Sequence, residues 1–209
     1  MKTIRFFVTM VLFGIAMGMS AQVPVSPSEL KIKASKDAIK EAKRMKKEGW
    51  MPAPGTLPIE RQLDRSYGME YADLDLNMES KFAFGDGKSI GQFYDAAKVS
   101  AAATAMGDLV SKLHTEITRE VTAQVINKQL PEDQANSIAA AVERSKQLTV
   151  QRLSGIVPVL QLYRKDKKTN NTEVMIRYSY LRSKAKNDTY EYLNAEAKKE
   201  GFELGMAIQ

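Results

Sequence analysis

An apolar residue recurs at every fourth position through the middle of this chain. The positions are Phe93, Ala97, Ala101, Ala105, Leu109, Leu113, Ile117 and Val121. A spacing of four residues places side chains along one face of an α-helix, so we predict a long helix with a wide buried face. Its first half carries alanines and Gly107, which allow another backbone to approach closely, and its second half carries larger side chains.

The segment before this helix, residues 81–93, has the sequence KFAFGDGKSIGQF. Phe82 and Phe84 show the alternation of a short strand. The glycines that follow tolerate backbone angles that other residues avoid, so we predict a turn over residues 85–92. The chain would turn there from the strand onto the long helix. The alanine-lined half of the helix would then lie tight across a small antiparallel sheet.

Other stretches carry helical patterns. Ser26 and Pro27 are the residue types of a helix cap and a first helical position, and Gly49 is a typical helix stop. Pro131 precedes two acidic residues, which favour the first turn of another helix. The expected helices cover residues 26–48, 58–65, 131 to a position between 144 and 153, and 187–200.

Two segments near the C-terminus carry strand patterns. Residues 156–163 and 173–181 are rich in β-branched and aromatic residues, and the polar sequence RKDKKTNN separates them. This is the pattern of an antiparallel hairpin. Pro158 indicates that the first strand lies at a sheet edge or begins after it. Residues 71–84 alternate apolar and polar residues, so we expect one or two more short strands there.

The N-terminus has the layout of an export signal. Lys2 and Arg5 precede an uncharged stretch over residues 6–19, and cleavage is expected after Ala21. A membrane anchor is the alternative, but it needs about 20 apolar residues, and this stretch is shorter. Together the elements predict an α+β fold, in which the long helix and a second helix pack on a small antiparallel sheet. The expected divisions are a signal peptide at 1–21, an N-terminal helical arm at 22–70 and an α+β domain at 71–209.

Composition excludes several classes of function. The chain has no cysteine, so it has no disulfides, thiol nucleophile, cysteine metal site or lipidated cysteine. The formal net charge is +6. Removal of the expected signal, with Lys2 and Arg5, leaves about +4, which is too mild to indicate nucleic acid as a partner. No later segment is long and apolar enough to cross a bilayer. We therefore expect an exported protein that is periplasmic or associated with the envelope.

The order of the elements resembles the lipoprotein-20 family of Gram-negative envelope proteins, whose module also occurs in the flagellar assembly protein T family. The resemblance covers about residues 80–182 and lies in FAFGDGKS, AAKVSAAATAMGDLVSKL, LSGIVPVLQLY and TEVMIRYSYL. It implies an α+β fold and offers no catalytic residue to transfer. Because this chain has no cysteine, it departs from the family in lacking the lipid anchor.

Gly87-Lys88-Ser89 also ends the phosphate-loop motif Gly-x-x-x-x-Gly-Lys-Ser. The early glycine of that motif, which lets backbone amides wrap a phosphate, is replaced here by Phe82. The series of βαβ units that normally supports such a loop is also missing. We therefore favour a connection between a strand and a helix over a nucleotide site.

Two patterns raise the question of a metal. Four residues imitate the start of a calcium loop, namely Asp73, Asp75, Asn77 and Glu79. Such a loop needs glycine and a carboxylate where this chain has Met78 and Phe84, so we favour a solvated strand face, with an irregular calcium site as the alternative. His114 is the only histidine, and we expect a partly exposed helix residue. No metal, cofactor or catalytic residue is predicted.

Basic residues are concentrated on the first helix. They are Lys36, Lys40, Lys43, Arg44 and Lys47. Such a ridge suits anionic lipid or another acidic envelope polymer. The simpler interpretation, which we favour, is a solvated helix face with Asp37 and Glu41 as partial counterions. A second basic group lies at the expected hairpin tip, where charge is well tolerated, and comprises Arg164, Lys165, Lys167 and Lys168.

These observations predict an exported, non-catalytic envelope protein that contacts another envelope protein or a second copy of itself. The first alternative is a module that binds a small or lipid-like ligand, between the long helix and the sheet or under the arm that contains Trp50. A hydrolase of envelope polymers has the least support. Nucleic acid is not expected as a partner, and peripheral contact with a membrane stays open.

Overall fold

The computed structural model describes residues 34–72, 74, 78–152 and 155–206. The helices over these ranges are α1 (Lys36–Lys47), α2 (Ile59–Tyr67), α3 (Tyr94–Asn127), α4 (Glu132–Arg152) and α5 (Arg182–Lys199). The strands are β1 (Met51–Pro52), β2 (Phe82–Gly91), β3 (Val157–Lys165) and β4 (Thr172–Leu181). The predicted α+β class is confirmed.

Some boundaries differ from the prediction. The first helix begins only at Lys36, and the hydroxyl oxygen of Ser35 caps it by accepting from the N–H of Ala38 at 3.3 Å. The last helix begins already at Arg182 rather than near residue 187. Of the expected strand around residue 74, Leu74 forms an isolated bridge. Other predictions lie outside the described residues: the signal peptide at 1–21, Ser26, Pro27, Asp73, Asp75 and Asn77.

The strands form one antiparallel sheet in the order β1-β3-β4-β2. β2 pairs with β4 over its whole length, and β4 pairs with β3 on its other side. The predicted hairpin is therefore confirmed. β1 pairs only with Leu162 and Tyr163. Pro158 thus lies in a part of β3 that β1 does not cover, as its missing N–H predicts.

Residues 85–91 belong to β2, so the predicted turn at this position is wrong. The glycines serve the packing of α3 instead. A Cβ atom on Gly85 would lie 2.1 Å from the carbonyl oxygen of Ala105, and one on Gly87 would lie 2.0 Å from that of Ala101. Any side chain there would overlap the helix backbone. α3 therefore lies directly on β2, and the predicted close contact of its alanine-lined half with the sheet is confirmed.

The opposite face of the sheet is covered by α1 and α2. Trp50, at the end of the loop that follows α1, is buried there with Leu160 and Leu162 of β3. α1 contributes its apolar stripe, Ala38, Ala42 and Met45. Residues of the expected N-terminal arm thus share one core and one sheet with strands from the C-terminal half of the chain.

The second half of α3 extends past the sheet and packs on α4 and α5. Ile117, Ile138 and Leu193 are fully buried in this third core. The C-terminal segment folds back onto it, and Leu204 is also buried. Among the helices of the described ranges, we find none whose length and hydropathy would allow it to cross a membrane.

Candidate interaction surfaces

The lysine of the sequence that resembles a phosphate loop belongs to an ion-pair cluster around the buried carboxylate of Glu173. Lys88 Nζ lies 2.5 Å from Oε1 of Glu173, and Arg164 pairs with the other oxygen of the same carboxylate. Both cations also lie over the Trp50 ring, 5.6 and 4.5 Å from its centre. Burial raises the pKa of Glu173, but Lys88 and Arg164 outweigh it and hold the pKa below its usual value. This cluster links Trp50, the residue before β1, to the three longer strands.

Arg177 of β4 forms a second cluster on the same face of the sheet. It lies 2.7 Å from Asp86 of β2 and 2.9 Å from Glu70 in the helical turn after α2, and it donates to Ser66 Oγ at 3.1 Å. Its guanidinium also lies over the Phe84 ring. Burial lowers the pKa of Arg177, but the two carboxylates outweigh it and raise the pKa. The arginine therefore fastens α2 to the sheet.

A third cluster joins α3 to α5. Glu116, which is 8% exposed, pairs with Arg182 and with Lys186. Lys186 also lies 2.8 Å from Glu120, whose carboxylate accepts a hydrogen bond from the hydroxyl of Tyr190. Burial raises the pKa of Tyr190, and the neighbouring Glu120 raises it further. These groups neutralise one another and hold two helices together.

A cleft of about 560 Å³ opens beside this third cluster. Its lining is polar and comprises Glu79, Ser80, Ser111, Lys112, Thr115, Glu116, Arg119 and Arg182. Most of these groups are engaged within the protein. Lys112 pairs with Asp108 at 2.6 Å, Arg182 pairs with Glu116, and Ser80 Oγ donates to the carbonyl of Met69. The cleft therefore offers few polar groups to a ligand.

His114 lies on α3 with its side chain 12% exposed, and its Nε2 is 3.6 Å from Oε1 of Glu143. In the described ranges, no three histidine or acidic residues lie close enough together to hold a metal ion. The only histidine therefore has one exposed acidic neighbour, on α4, rather than the several partners that a zinc site or an acid-base site needs.

All five residues of the predicted basic ridge are exposed on α1. They differ in what surrounds them. Arg44 pairs with Glu41 and with Glu48, which follows the helix. Across the part of the chain that the structure describes, the four lysines of the ridge form no ion pair. Of the two expected counterions, Glu41 thus pairs with Arg44 of the ridge, and Asp37 forms no ion pair within the described ranges.

The basic group at the hairpin tip is divided. Arg164 belongs to the cluster around the buried carboxylate of Glu173, and Lys165 donates to Thr172 Oγ1 at 3.0 Å. Only Lys167 and Lys168 project from the tip as exposed charges. The four residues therefore do not form one surface.

The outer edge of β2 is a surface that the sequence did not indicate. Alternate residues of an edge strand point their N–H and C=O groups away from the sheet. In the first half of β2, side chains of α3 cover these groups: Asp108 accepts from the N–H of Asp86 at 2.9 Å, and Lys112 donates to the carbonyl of Phe84 at 3.0 Å. Beyond Asp86 the described residues provide no such cover. Large apolar side chains are exposed there, with Ile90 at 54% and Phe93 at 68%.

Sequence reasoning missed the two buried acids of these clusters, Glu116 and Glu173. One indication was available, since Glu116 lies beside Leu113 and Ile117 on the apolar face of α3. An acid within such a stripe predicts a buried cation partner. Its partners Arg182 and Lys186 lie far along the chain, so the sequence could not identify them.

Comparisons with known proteins return no family model, no curated protein and no solved structure that matches this chain. The resemblance to the lipoprotein-20 family therefore stays a prediction that depends on the motifs alone.

Proposed function

We propose that this protein is an exported, non-catalytic component of the cell envelope that works by contact with another envelope protein or with a second copy of itself. Its first 21 residues support export. The three clusters of charged groups support a non-catalytic role, because their acids and cations neutralise one another between elements. The function of the protein then depends on surfaces that can contact a partner.

The second half of the β2 edge carries this proposal. Exposed strand edges are templates for pairing with another chain, and proteins usually cover or charge them. Here one half is covered by α3, while the other half combines an open edge with the exposed side chains of Ile90 and Phe93. Unpaired backbone groups beside apolar side chains are the features of a site for strand addition.

A second copy fits this edge by symmetry. An antiparallel pairing centred on Ser89 would place Lys88 opposite Ile90 of the other copy, and Gly87 opposite its Gly91. The outward-pointing groups of residues 88 and 90 would then pair with each other. Glycines on the α3 side add no side chains that would obstruct the approach. Self-association is therefore the first contact to test.

The test compares one substitution at two exposed isoleucines. Ile90→Lys places a charge at the open edge, whereas Ile126→Lys makes the same change at the distal end of α3, where Ile126 is 67% exposed. In sedimentation experiments over a range of concentrations, we expect the native protein and Ile126→Lys to dimerise and Ile90→Lys to remain monomeric. Circular dichroism checks that both variants fold.

If the native protein is monomeric at every concentration, the partner to test is a different envelope protein. Capture from an envelope fraction should then recover a specific protein with native chain and Ile126→Lys, but not with Ile90→Lys. Equal behaviour of the two variants in both experiments would contradict the proposal.

The ligand-binding alternative has less support. The expected space between α3 and the sheet is filled at Gly85 and Gly87 by the helix backbone. Trp50 is 3% exposed and lies against Arg164 rather than over an opening. The polar cleft beside α3 keeps most of its charged groups in internal pairs, so the surface contact is the function that the geometry favours.

A further inference from the structure

Four lysines form a line along the outside of α1. Lys36, Lys40, Lys43 and Lys47 follow one another at intervals of four, three and four residues. At 100° per residue these positions fall within a narrow strip of the helix surface. The strip is about 16 Å long, at a rise of about 1.5 Å per residue. We call these four residues the lysine strip.

The lysine strip points directly away from the protein. The buried face of α1 consists of Ala38, Ala42 and Met45, which lie on the opposite side of the helix. Packing of that face on α2 and β3 fixes the rotation of α1 about its axis. Folding therefore presents the four ammonium groups to solvent together.

Nearby acids do not neutralise the strip. Glu41 and Glu48 pair with Arg44, and the hydrogen bond from Arg44 lowers the pKa of Glu41. Glu60 of α2 pairs with Lys46, which lies outside the strip. Asp37, to one side of the strip, is the exposed acid of α1 that forms no ion pair in the described ranges. The four charges of the strip have no ion-pair partner there either.

We infer that the lysine strip docks α1 lengthwise on a membrane surface that contains anionic phospholipid. This contact is independent of the one proposed for β2. Lysine ammonium groups are flexible, compact point charges, which suit a fluid array of phosphates, whereas a defined carboxylate or phosphate site favours the two-pronged guanidinium of arginine. The one arginine near the strip is already paired. No aromatic side chain lies in the strip, as single-stranded nucleic acid would require for base stacking.

The docking is electrostatic, without insertion into the lipid. The strip carries no apolar side chain, and the large exposed apolar residues of the described part lie outside α1. A lysine near an anionic surface is worth about fivefold in partitioning at low salt. Four such residues together give an effect of about 600-fold, nearly three orders of magnitude, and added salt should remove most of it because screening shortens the range of each charge.

The experiment is vesicle co-sedimentation with the protein purified in the form that the exporting cell accumulates. One set of vesicles contains phosphatidylglycerol in phosphatidylcholine, and the other contains phosphatidylcholine alone. The test variant replaces the four strip lysines with glutamine. A matched control makes the same change at four exposed lysines elsewhere, Lys146, Lys167, Lys168 and Lys198, so both variants lose the same charge.

We expect the native protein and the control to bind the anionic vesicles at low salt, with binding lost at high salt and absent from neutral vesicles. The strip variant should bind about 600-fold less well. Equal loss in both variants would show that net charge alone is responsible, and this would overturn the inference. Absence of native binding to anionic vesicles would also overturn it. So would binding to soluble polyglutamate without binding to vesicles, which would indicate an acidic polymer as the partner.

Discussion

At the scale of single residues, glycine has different structural roles at different positions of this chain. In β2, Gly85 and Gly87 are glycine because the backbone of α3 occupies the space of a side chain. In α3, Gly107 has no atom within 4 Å of the place where its Cβ would lie. The first two glycines are required by packing, whereas the third only adds conformational freedom to the unfolded chain.

This contrast predicts opposite effects of one substitution. Gly87→Ala should lower the free energy of unfolding by about 3 kcal/mol, because its methyl group overlaps the carbonyl of Ala101 and forces α3 away from β2. Gly107→Ala should raise it by about 0.5–1 kcal/mol, because alanine favours a helix interior. Urea unfolding of both variants checks this. If Gly87→Ala is as stable as the native protein, the backbone of α3 does not lie against Gly87.

At the scale of elements, buried charges fasten helices to one another and to the sheet. α5 meets the second half of α3 through Lys186 and Tyr190, which both contact Glu120. The partners come from helices far apart in the chain, so each pair also specifies which faces meet. Such contacts gain little over apolar packing, but removing one partner leaves a desolvated polar group and is costly.

The two tyrosines of α5 test this fastening. Tyr190→Phe removes the hydroxyl that donates to Glu120 in a buried setting, and it should lower the free energy of unfolding by about 1–2 kcal/mol. Tyr192→Phe removes a longer, exposed contact with Arg144 at 3.3 Å and should change stability by less than about 0.5 kcal/mol. Chemical unfolding of the pair checks the difference. Equal effects would mean that the contact with Glu120 contributes nothing specific.

At the scale of the whole molecule, one sheet carries a core on each face, and a third core lies beyond it. The chain has no cysteine, so no disulfide holds these cores together. Ion pairs between elements contribute to its stability instead, and they make this stability depend on pH. Burial raises the pKa values of Glu60, Asp108 and Glu173, but paired cations outweigh it and hold all three below their usual values. Burial lowers the pKa of Lys186, but Glu116 and Glu120 outweigh it and raise the pKa.

The signs of these shifts set the pH range of stability. A carboxyl whose pKa is lower in the folded state stabilises the protein above its unfolded pKa of about 4, and this contribution is lost as pH falls further. A lysine with a raised pKa stabilises below about pH 10, and its contribution is lost as pH rises. We therefore expect the free energy of unfolding, measured with urea, to be constant between about pH 5 and pH 9.

Glu173→Gln should lower this constant value by about 2 kcal/mol and reduce the loss of stability on the acid side. A native protein whose stability does not fall below pH 4 would contradict this account.

The sequence alone determined most of the helices, the C-terminal hairpin, and the buried faces of α1 and α3. The four-residue repeat of α3, the stripe of α1 and the hairpin of β3 and β4 are local patterns, because the spacing of apolar residues follows directly from backbone periodicity. The run of alanines even predicted that α3 would approach another backbone closely. The predicted contact was correct for that reason, although the glycines that receive α3 were assigned to a turn.

Only the tertiary structure decided what the small and charged residues do. Glycine permits a turn as well as a strand that lies under a helix, and nothing in the local sequence distinguishes the two. Likewise, Lys46 differs from the four lysines of the strip because folding brings Glu60 of α2 within 2.9 Å of its Nζ. The open half of the β2 edge depends on strand order and on side chains of α3 that reach it. Pairing partners, strand neighbours and uncovered surfaces are relations between distant segments, and they exist only once the chain has folded.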